Sequence, residues 1–158
     1  MKNAGVIAMA VAILLFVVGK FVETGPEKVT RLTGEFAESV EKRNWSRFEE
    51  LLDPNVTFDI YGNRALLVAG AKMSVVNNEV KNISTSGFDV KAEPGGYIVT
   101  FMATADIEKA AYRTPTNWKF FWAKAATPDG YQIYRIDPLG GPGVPEEAVS
   151  QRLARPTR

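Results

Sequence analysis

The chain has 158 residues, of which 46% are hydrophobic and 23% are charged, and these values fit one globular domain with short extensions. It contains neither cysteine nor histidine, which excludes disulfides, thiolate nucleophiles, imidazole acid–base catalysis and metals held by Cys or His. The formal net charge is +1, and no basic stripe is present that could neutralise a phosphate backbone. We therefore expect no nucleic-acid partner, no cofactor and no metal, and any catalysis would use Asp, Glu, Tyr, Lys or Arg.

An apolar segment opens the chain, and it has no charged or strongly polar side chain between Ala4 and Gly19. A helix over residues 4–22 would be about 28 Å long, close to the hydrocarbon thickness of a bilayer. Lys20 can extend its ammonium to the headgroups while its stem stays apolar. The pattern predicts a transmembrane anchor over residues 1–23 that contacts the lipid bilayer through residues 4–22.

A cleaved signal peptide is the alternative interpretation of this segment. Signal peptides have an apolar run of about 7–15 residues followed by a small-x-small cleavage site. The run here is longer, and residues 19–23 offer no such site, so we favour a retained anchor. Positive charges on the two sides of the segment do not fix its orientation. Because short N-terminal anchors usually export the domain behind them, we expect a single-pass protein of the plasma (inner) membrane with its C-terminal domain outside the cytoplasm.

Two helices are predicted next. Thr24-Gly25-Pro26-Glu27 has the pattern of a capping box at a helix start. Apolar residues then recur at helical spacing, at Val29, Leu32, Phe36 and Val40. Asn44 is expected to cap a second, short helix that ends at Pro54, since proline cannot continue a helix.

The next segment carries mixed signals. Val56, Phe58 and Ile60 alternate with polar residues, which predicts a first strand. Residues 62–63 suggest a turn and residues 65–68 a short returning strand. A third helix is predicted over residues 71–82, where Met73, Val76 and Val80 are aligned at helical spacing.

The remainder of the domain is predicted to be β structure, with strands over 83–93, 97–108, 117–126 and 131–137. Pro94-Gly95-Gly96 is a strong turn signal between the first two of them. The elements describe an α+β domain over residues 24–139, in which three helices pack on one face of a curved, mainly antiparallel sheet. Residues 140–158 are predicted to be a flexible Gly/Pro-rich C-terminal tail.

This order of elements resembles the nuclear transport factor 2-like superfamily, which includes ketosteroid isomerases and SnoaL-like polyketide cyclases. The most similar stretch is 36–62, which looks like the end of that group's long helix, its second helix and its first strand. The resemblance implies a cone-shaped domain whose sheet and helices enclose a pocket. Proteins with this fold include enzymes, binding proteins and scaffolds, so the fold does not fix the function.

The resemblance also implies where catalytic groups would lie. Ketosteroid isomerases need a phenol, a basic carboxylate and a protonated acid, and those positions correspond here to Phe36, Ile60 and Trp122. All three are apolar, so isomerase chemistry is not expected. Together with Trp118 they are candidates for lining a ligand pocket, although an aromatic row more often fills the space between sheet and helix.

Epoxide hydrolases of the superfamily suggest a second template, in which two carboxylates bridged by an arginine activate water. Asp106 and Asp137 are the candidate acids for such a site. The bridging arginine would be Arg135, which shares the face of Asp137, or Arg113, and Tyr61 is a further candidate catalytic residue. The plainer interpretation, which we favour, is that Asp106 ends a strand and that Arg135 pairs with Asp137 at the rim of the sheet.

The sequence supports two function hypotheses. The first is a membrane-tethered, non-catalytic binding or assembly subunit, an accessory component of a membrane protein complex or of a homo-oligomer. Phe121, on the opposite face of its strand from Trp118, suggests that a partner subunit covers that side. The alternative is a small-molecule enzyme or apolar-ligand binder of the ketosteroid isomerase or epoxide hydrolase type, which uses pocket carboxylates. Convergence of the polar candidates inside one cavity would discriminate between the two.

Overall fold

A computed structural model describes residues 23–58, 63–107 and 115–141. Within these ranges the helices are α1 (Gly25–Glu41), α2 (Trp45–Glu50) and α3 (Arg64–Asn78), and the strands are β1 (Leu52–Phe58), β2 (Val80–Glu93), β3 (Gly96–Ile107), β4 (Thr116–Lys124) and β5 (Tyr131–Gly140). The strands form one sheet in the order β1-β5-β4-β3-β2. β1 is parallel to β5 and the other three pairings are antiparallel. The domain is thus α+β, with helices packed on a curved mixed sheet, as expected.

Several predictions concern residues beyond this description. The predicted anchor over residues 4–22 lies outside the described residues, as do Ile60, Tyr61, Arg113 and residues 142–158 of the predicted tail. None of the helices that the structure does describe is long and apolar enough to cross a membrane. β5 continues to Gly140, so the segment predicted as a tail begins inside the sheet.

The predicted start of α1 is confirmed in detail. The Thr24 hydroxyl accepts a hydrogen bond from the Glu27 amide, and the Glu27 carboxylate accepts one from the Thr24 amide at 2.9 Å. These bonds satisfy amides that the first turn of a helix leaves free. The predicted apolar stripe faces the sheet, and Val29, Leu32 and Phe36 are buried in the core.

Asn44 caps α2 as predicted, since its side chain accepts a hydrogen bond from the Arg47 amide at 3.2 Å. The prediction that Pro54 ends this helix is wrong. α2 ends at Glu50, and Pro54 lies within β1. β1 is an edge strand with an irregular register between Leu52 and Thr57. Proline is tolerated there because an edge strand has amides that need no partner in the sheet.

The predicted returning strand over residues 65–68 is wrong, because these residues form the first turn and a half of α3. The Asn63 side chain accepts a hydrogen bond from the Leu66 amide at 3.0 Å and so caps the helix. A short apolar run such as residues 66–68 fits a strand and a buried helix equally well. The sequence pattern therefore could not separate the two.

The predicted end and alignment of this helix also need correction. α3 ends at Asn78, Glu79 adopts a left-handed conformation with φ 51°, and Val80 begins β2. Met73 and Val76 are aligned as predicted, but they lie on the outside of the helix, with 49% and 56% of their surface exposed.

The two faces of the sheet differ in what covers them. On the inner face, apolar side chains pack against α1, and the fully or nearly buried ones are Val99, Phe101, Phe120, Trp122, Ile133 and Ile136. The alternate residues point away from α1 and form the outer face. Strand pairing places Ile98 opposite Phe121, and Phe121 opposite Arg135, on that outer face.

The domain has two distinct ends. At one, which we call the hairpin end, the start of α1 lies against the start of β3, because a Cβ added to Gly25 would lie 2.1 Å from the Tyr97 hydroxyl. The other, which we call the helix end, is where Phe58 of β1 and Ile136 of β5 lie side by side. α3 contacts both β1 and β2, the two edges of the sheet. It therefore crosses the width of the sheet at the helix end.

Candidate functional site

The space between α1, α2 and the inner face is filled by a cluster of aromatic rings. Phe36 stacks on Phe48, with ring centres 4.6 Å apart, and meets Phe120 edge to face at 5.1 Å. Phe120 in turn meets Phe101 edge to face at 4.8 Å. These four residues, which we call the aromatic cluster, are all buried. Edge-to-face and offset rings at these distances are favourable packing arrangements, so Phe36, a predicted pocket residue, contributes to the core.

The two tryptophans predicted to line a pocket differ in exposure. Trp122 has no exposed surface, and its indole Nε1 donates a hydrogen bond to the Thr33 hydroxyl oxygen at 3.1 Å. Trp118 is half-buried and donates from Nε1 to the Thr116 hydroxyl at 2.8 Å. Its ring stacks on Phe58 with a centre-to-centre distance of 6.4 Å. Of the two, only Trp118 has surface that a ligand could contact without opening the core.

The described part of the interior has no ionisable side chain. Its buried polar side chains are those of Thr33 and Ser39. Both bond to their own helix, since Thr33 donates to the Val29 carbonyl at 2.7 Å and Ser39 to the Phe36 carbonyl at 2.6 Å. No group of three or more acidic side chains in residues 23–58, 63–107 and 115–141 is arranged to hold a metal ion. The buried groups of these residues cannot serve as a general acid or base.

Asp137, one candidate carboxylate, lies on the outer face opposite Lys119. Both of its oxygens contact the Arg135 guanidinium. Nε donates a hydrogen bond to Oδ1 at 2.8 Å, and Nη2 lies 2.8 Å from Oδ2. The hydrogen bond to Asp137 holds the pKa of Arg135 above its ordinary value. The rim pairing that the sequence suggested is therefore present.

Asp106, the other candidate, also lies on the outer face. Val99 and Phe101 of β3 are buried on the inner face, and strand alternation places Asp106 in the opposite set. It accepts a hydrogen bond from the Asn82 side chain at 2.9 Å. The structure brings neither carboxylate into the interior, while Arg113 and Tyr61 lie outside the described residues.

The outer face carries a patch of aromatic, apolar and cationic side chains. The Arg135 guanidinium lies 4.9 Å from the centre of the Phe121 ring, and the Tyr134 ring lies 5.9 Å from it. Two further apolar residues complete what we call the outer-face patch, which consists of Ile98, Met102, Phe121, Tyr134 and Arg135. Tyr134 and Met102 are exposed by 39% and 36%.

Sequence analysis identified one member of this patch, Phe121, from strand alternation. Tyr134 reaches the same face because β5 has an extra residue at this point: Phe121 pairs with Arg135, but Trp122 pairs with Ile133. Such a bulge shifts the side-chain alternation of one strand relative to its neighbour. The sequence of β5 gives no signal for it.

Charged side chains at the hairpin end form a network. Arg47 on α2 binds Glu35 on α1 at 2.5 Å and Asp129 in the β4–β5 turn at 2.6 Å. Arg31 also binds Glu35, as well as Glu23 at 2.8 Å. The bond from Arg47 holds the pKa of Asp129 below its ordinary value. This network connects α1 and α2 to the β4–β5 turn, so we interpret it as stabilising the packing of these elements.

Comparison with known proteins gives matches in structure only. No protein-family model matches the sequence, and no curated protein matches it significantly. The S. rosetta CaMKII hub superposes with a TM-score of 0.61 at 18% identity, covering 76% of this chain and 100% of that chain. An NTF2-like protein with a cystatin-like fold from Novosphingobium aromaticivorans superposes with a TM-score of 0.59 at 12% identity, covering 92% of this chain and 95% of that one.

A third match, Bd1075 from Bdellovibrio bacteriovorus, has a TM-score of 0.59 at 14% identity. It covers 72% of this chain, which spans only 39% of the length of that protein. At such identities the matches show the fold alone. The fold is nuclear transport factor 2-like, as the resemblance in sequence implied.

Proposed function

We propose that the chain is a membrane-tethered, non-catalytic binding or assembly subunit, and that its outer-face patch docks against a protein partner in a membrane complex. One observation carries the proposal. The described interior is packed with aromatic rings and has no ionisable side chain, whereas exposed aromatic and cationic groups are gathered on the opposite face of the sheet.

The composition of the outer-face patch supports protein recognition. Tyrosine and arginine are enriched among residues that dominate the binding energy of interfaces, and aromatic residues and methionine are enriched at interface centres. Lys119 pairs with Thr100 on one side and with Asp137 on the other. This polar row lies between Met102 and the other patch residues, where it would supply polar contacts within the interface. A five-stranded sheet with strands of about ten residues presents roughly 700 Å², close to the area of about 800 Å² that each partner contributes to a stable interface.

The apolar run over residues 4–22 supports the tether. α1 begins at Gly25, immediately after that run, so an inserted anchor would hold the hairpin end close to the headgroups. The outer-face patch would then lie beside the domain, where another membrane protein can reach it. One structural neighbour is named as a hub, and by analogy the same fold can serve assembly here.

Site-specific photocrosslinking in native membranes tests the docking surface. The full chain would carry a photoreactive phenylalanine analogue in place of Phe121, or, as a control, in place of the exposed Glu38 on α1. We expect a covalent protein adduct from position 121, none from position 38, and loss of the adduct when M102E is added. No adduct from position 121, or equal adducts from both positions, would contradict docking through the patch.

Alkaline extraction of the same membranes tests the tether separately. An apolar span stays in the lipid after carbonate treatment, because its transfer to water is unfavourable. Release of the full chain into the soluble fraction, or a mature polypeptide that begins after residue 22, would refute the tether and leave the docking surface to be judged on its own.

A further inference from the structure

We infer that the hairpin end of the domain is a lipid-binding surface, which lies on the bilayer and donates hydrogen bonds to lipid phosphates through Lys28 and Lys124. The inference rests on the proposed tether, because an apolar span has to bring this end to the membrane. It goes beyond the tether in assigning lipid contacts to the folded domain itself. The surface shares no residue with the outer-face patch.

Three segments of the chain meet at the hairpin end. The Lys124 amide donates a hydrogen bond to the Gly95 carbonyl at 3.0 Å. The β2–β3 turn and the β4–β5 turn therefore lie side by side, with Lys124 between them. The start of α1 joins them, because Gly25 packs against the Tyr97 hydroxyl. The two turns and the first turn of α1 thus form one end surface of the domain.

The end of the apolar segment places this surface at the headgroups. Residue 22 is three residues before Gly25, so their Cα atoms are at most about 11 Å apart. A headgroup layer is about 5–8 Å thick on each side of the hydrocarbon. The connection is not a free hinge: both oxygens of Glu23 bind Arg31, at 2.8 and 3.1 Å, and Thr24 is held by the capping box. An inserted anchor therefore brings the start of α1 to the bilayer surface and restricts the orientation of the domain.

Two lysines of this surface have ammonium groups available for a ligand. Lys28 reaches towards the β4–β5 turn, where its Nζ lies 4.0 Å from a Cβ added to Gly130. Lys124 is exposed. Among the residues that the structure describes, neither lysine forms an ion pair; the nearby Glu23 and Asp129 are bound to arginines instead. Lipid phosphates accept charge-assisted hydrogen bonds from such ammonium groups.

The surface as a whole is electrically balanced. Two carboxylates at this end, those of Glu27 and Glu93, are exposed and have no cationic partner within the described ranges. They offset the charges of Lys28 and Lys124. A zwitterionic phospholipid such as phosphatidylethanolamine presents a phosphate and an ammonium close together, so it matches a surface that has charges of both signs. We therefore assign the surface to zwitterionic headgroups, and we do not expect it to require an anionic lipid.

Two tyrosines support contact with the headgroup layer. Tyr97 and Tyr131 lie together at this end, with ring centres 5.8 Å apart, and both are half-buried. Tyrosine is enriched at membrane–water interfaces, since its ring is apolar and its hydroxyl is polar. The turns beside them have no charged side chain at residues 94–95 and 125–128. They can therefore approach the headgroups without desolvating a charge.

The absence of cysteine from the chain allows a single fluorophore to be placed at either end of the domain. The full chain would carry the label at A126C, in the β4–β5 turn, or, as a control, at V76C on α3; both positions are exposed. Because β3 has 12 residues and runs between the two ends, position 76 is roughly 40 Å from the hairpin end. In vesicles of phosphatidylethanolamine and phosphatidylcholine that contain a lipid with a nitroxide on its headgroup, we expect strong quenching at position 126 and little at position 76.

A longer connection separates lipid binding from mere proximity. Ten Gly/Ser residues inserted between residues 22 and 23 add about 17 Å of flexible chain, so that only contacts of the surface itself would hold it to the bilayer. We expect quenching at position 126 to persist after the insertion. It should fall to the level of position 76 when K28Q and K124Q are added. K42Q is the matched control and should leave quenching unchanged, since Lys42 is exposed and follows the far end of the 17-residue α1.

The outcomes distinguish this inference from the proposed tether. Loss of quenching at position 126 after the insertion alone, or no effect of K28Q and K124Q, would overturn the lipid-binding surface even if the chain resists alkaline extraction. Equal quenching at positions 126 and 76 without the insertion would also overturn it, because the domain would then have no fixed orientation. Quenching that requires added phosphatidylglycerol would contradict the assignment to zwitterionic headgroups. Release of the chain by alkaline extraction would refute the tether itself, and this inference with it.

Discussion

Phe120 and Phe121 are consecutive in β4 but lie in opposite environments. Phe120 is 3% exposed and contacts two rings of the aromatic cluster. Phe121 is half-buried on the outer face, between Arg135 and Tyr134. Because side chains of a strand alternate between faces, one residue type packs in the core and, one position later, lies in the patch that we propose to dock a partner. Stability and the proposed recognition are therefore assigned to different residues, and substitutions can test each face alone.

The largest effect is expected from F120A. Removing a buried phenylalanine ring costs about 3–5 kcal/mol, because apolar contacts are lost and a cavity remains. F121A, the matched control, should cost about 1 kcal/mol or less, since the ring is partly in solvent. Urea unfolding of the full chain in detergent, monitored by tryptophan fluorescence, measures the free energy of unfolding of both variants. Equal losses would contradict the assignment of the two faces.

The second-largest loss of stability is expected from removing the hydrogen bond between Thr33 and Trp122 in the core. T33V should destabilise the domain by about 1–3 kcal/mol, because it leaves the buried Trp122 indole without an acceptor. T30V is the control: the Thr30 hydroxyl also donates to the carbonyl four residues earlier, at 2.9 Å, but accepts nothing from Trp122. If both variants unfold at the same urea concentration, the indole bond does not contribute to stability.

The third effect concerns pH. Arg47 lowers the pKa of Asp129 in the folded domain, so the pair stabilises the fold above the ordinary Asp value of about 3.9, and this contribution is lost as pH falls through the lower, folded value. D129N should therefore destabilise at pH 7, by at most about 1 kcal/mol because the pair is partly solvated. The difference from the unmodified chain should shrink as pH falls below the ordinary Asp value and vanish below the lower, folded one. A difference in unfolding free energy that stays the same across this acidic range would exclude the ion pair as its cause.

The smallest change in stability is expected on the outer face. R135K keeps the charge but loses the two-point contact with Asp137 and the guanidinium contact with the Phe121 ring. Exposed pairs of this kind contribute about 0.5 kcal/mol or less, so unfolding should hardly change. The photoadduct from position 121 should nevertheless decrease. A stability loss as large as that of T33V would show that Arg135 is a structural residue.

Local signals in the sequence predicted much of the fold. The capping box at Thr24 and the Asn44 cap are short-range hydrogen-bond patterns, and both are present. The turn at Pro94-Gly95 is local too. The strand predicted over residues 65–68 is wrong, because a short apolar run has no distinguishable period. The segment is helical because Asn63 caps it and Leu67 is buried against the rest of the domain.

The candidate site was less predictable. The alternation of side chains along β3 can be recognised in the sequence, and it places Asp106 on the other face of the strand from the buried Phe101. Whether that opposite side faced a cavity or the outside depended on where α1 packs. Tyr134 reaches the outer-face patch only through a bulge in β5, which is set by pairing with β4.

Short-range patterns in the sequence were enough to identify the capped helices, the hairpin turn, the alternating strands and the apolar segment near the N-terminus. The exclusion of Cys and His chemistry is likewise a matter of composition. Three features required the folded domain: the parallel pairing of β1 with β5, the exposure of Met73 and Val76 on the outside of α3, and the placement of both candidate carboxylates away from α1. These features depend on contacts between residues far apart in the chain, whose formation reflects the packing of the whole domain and not the preference of any one segment.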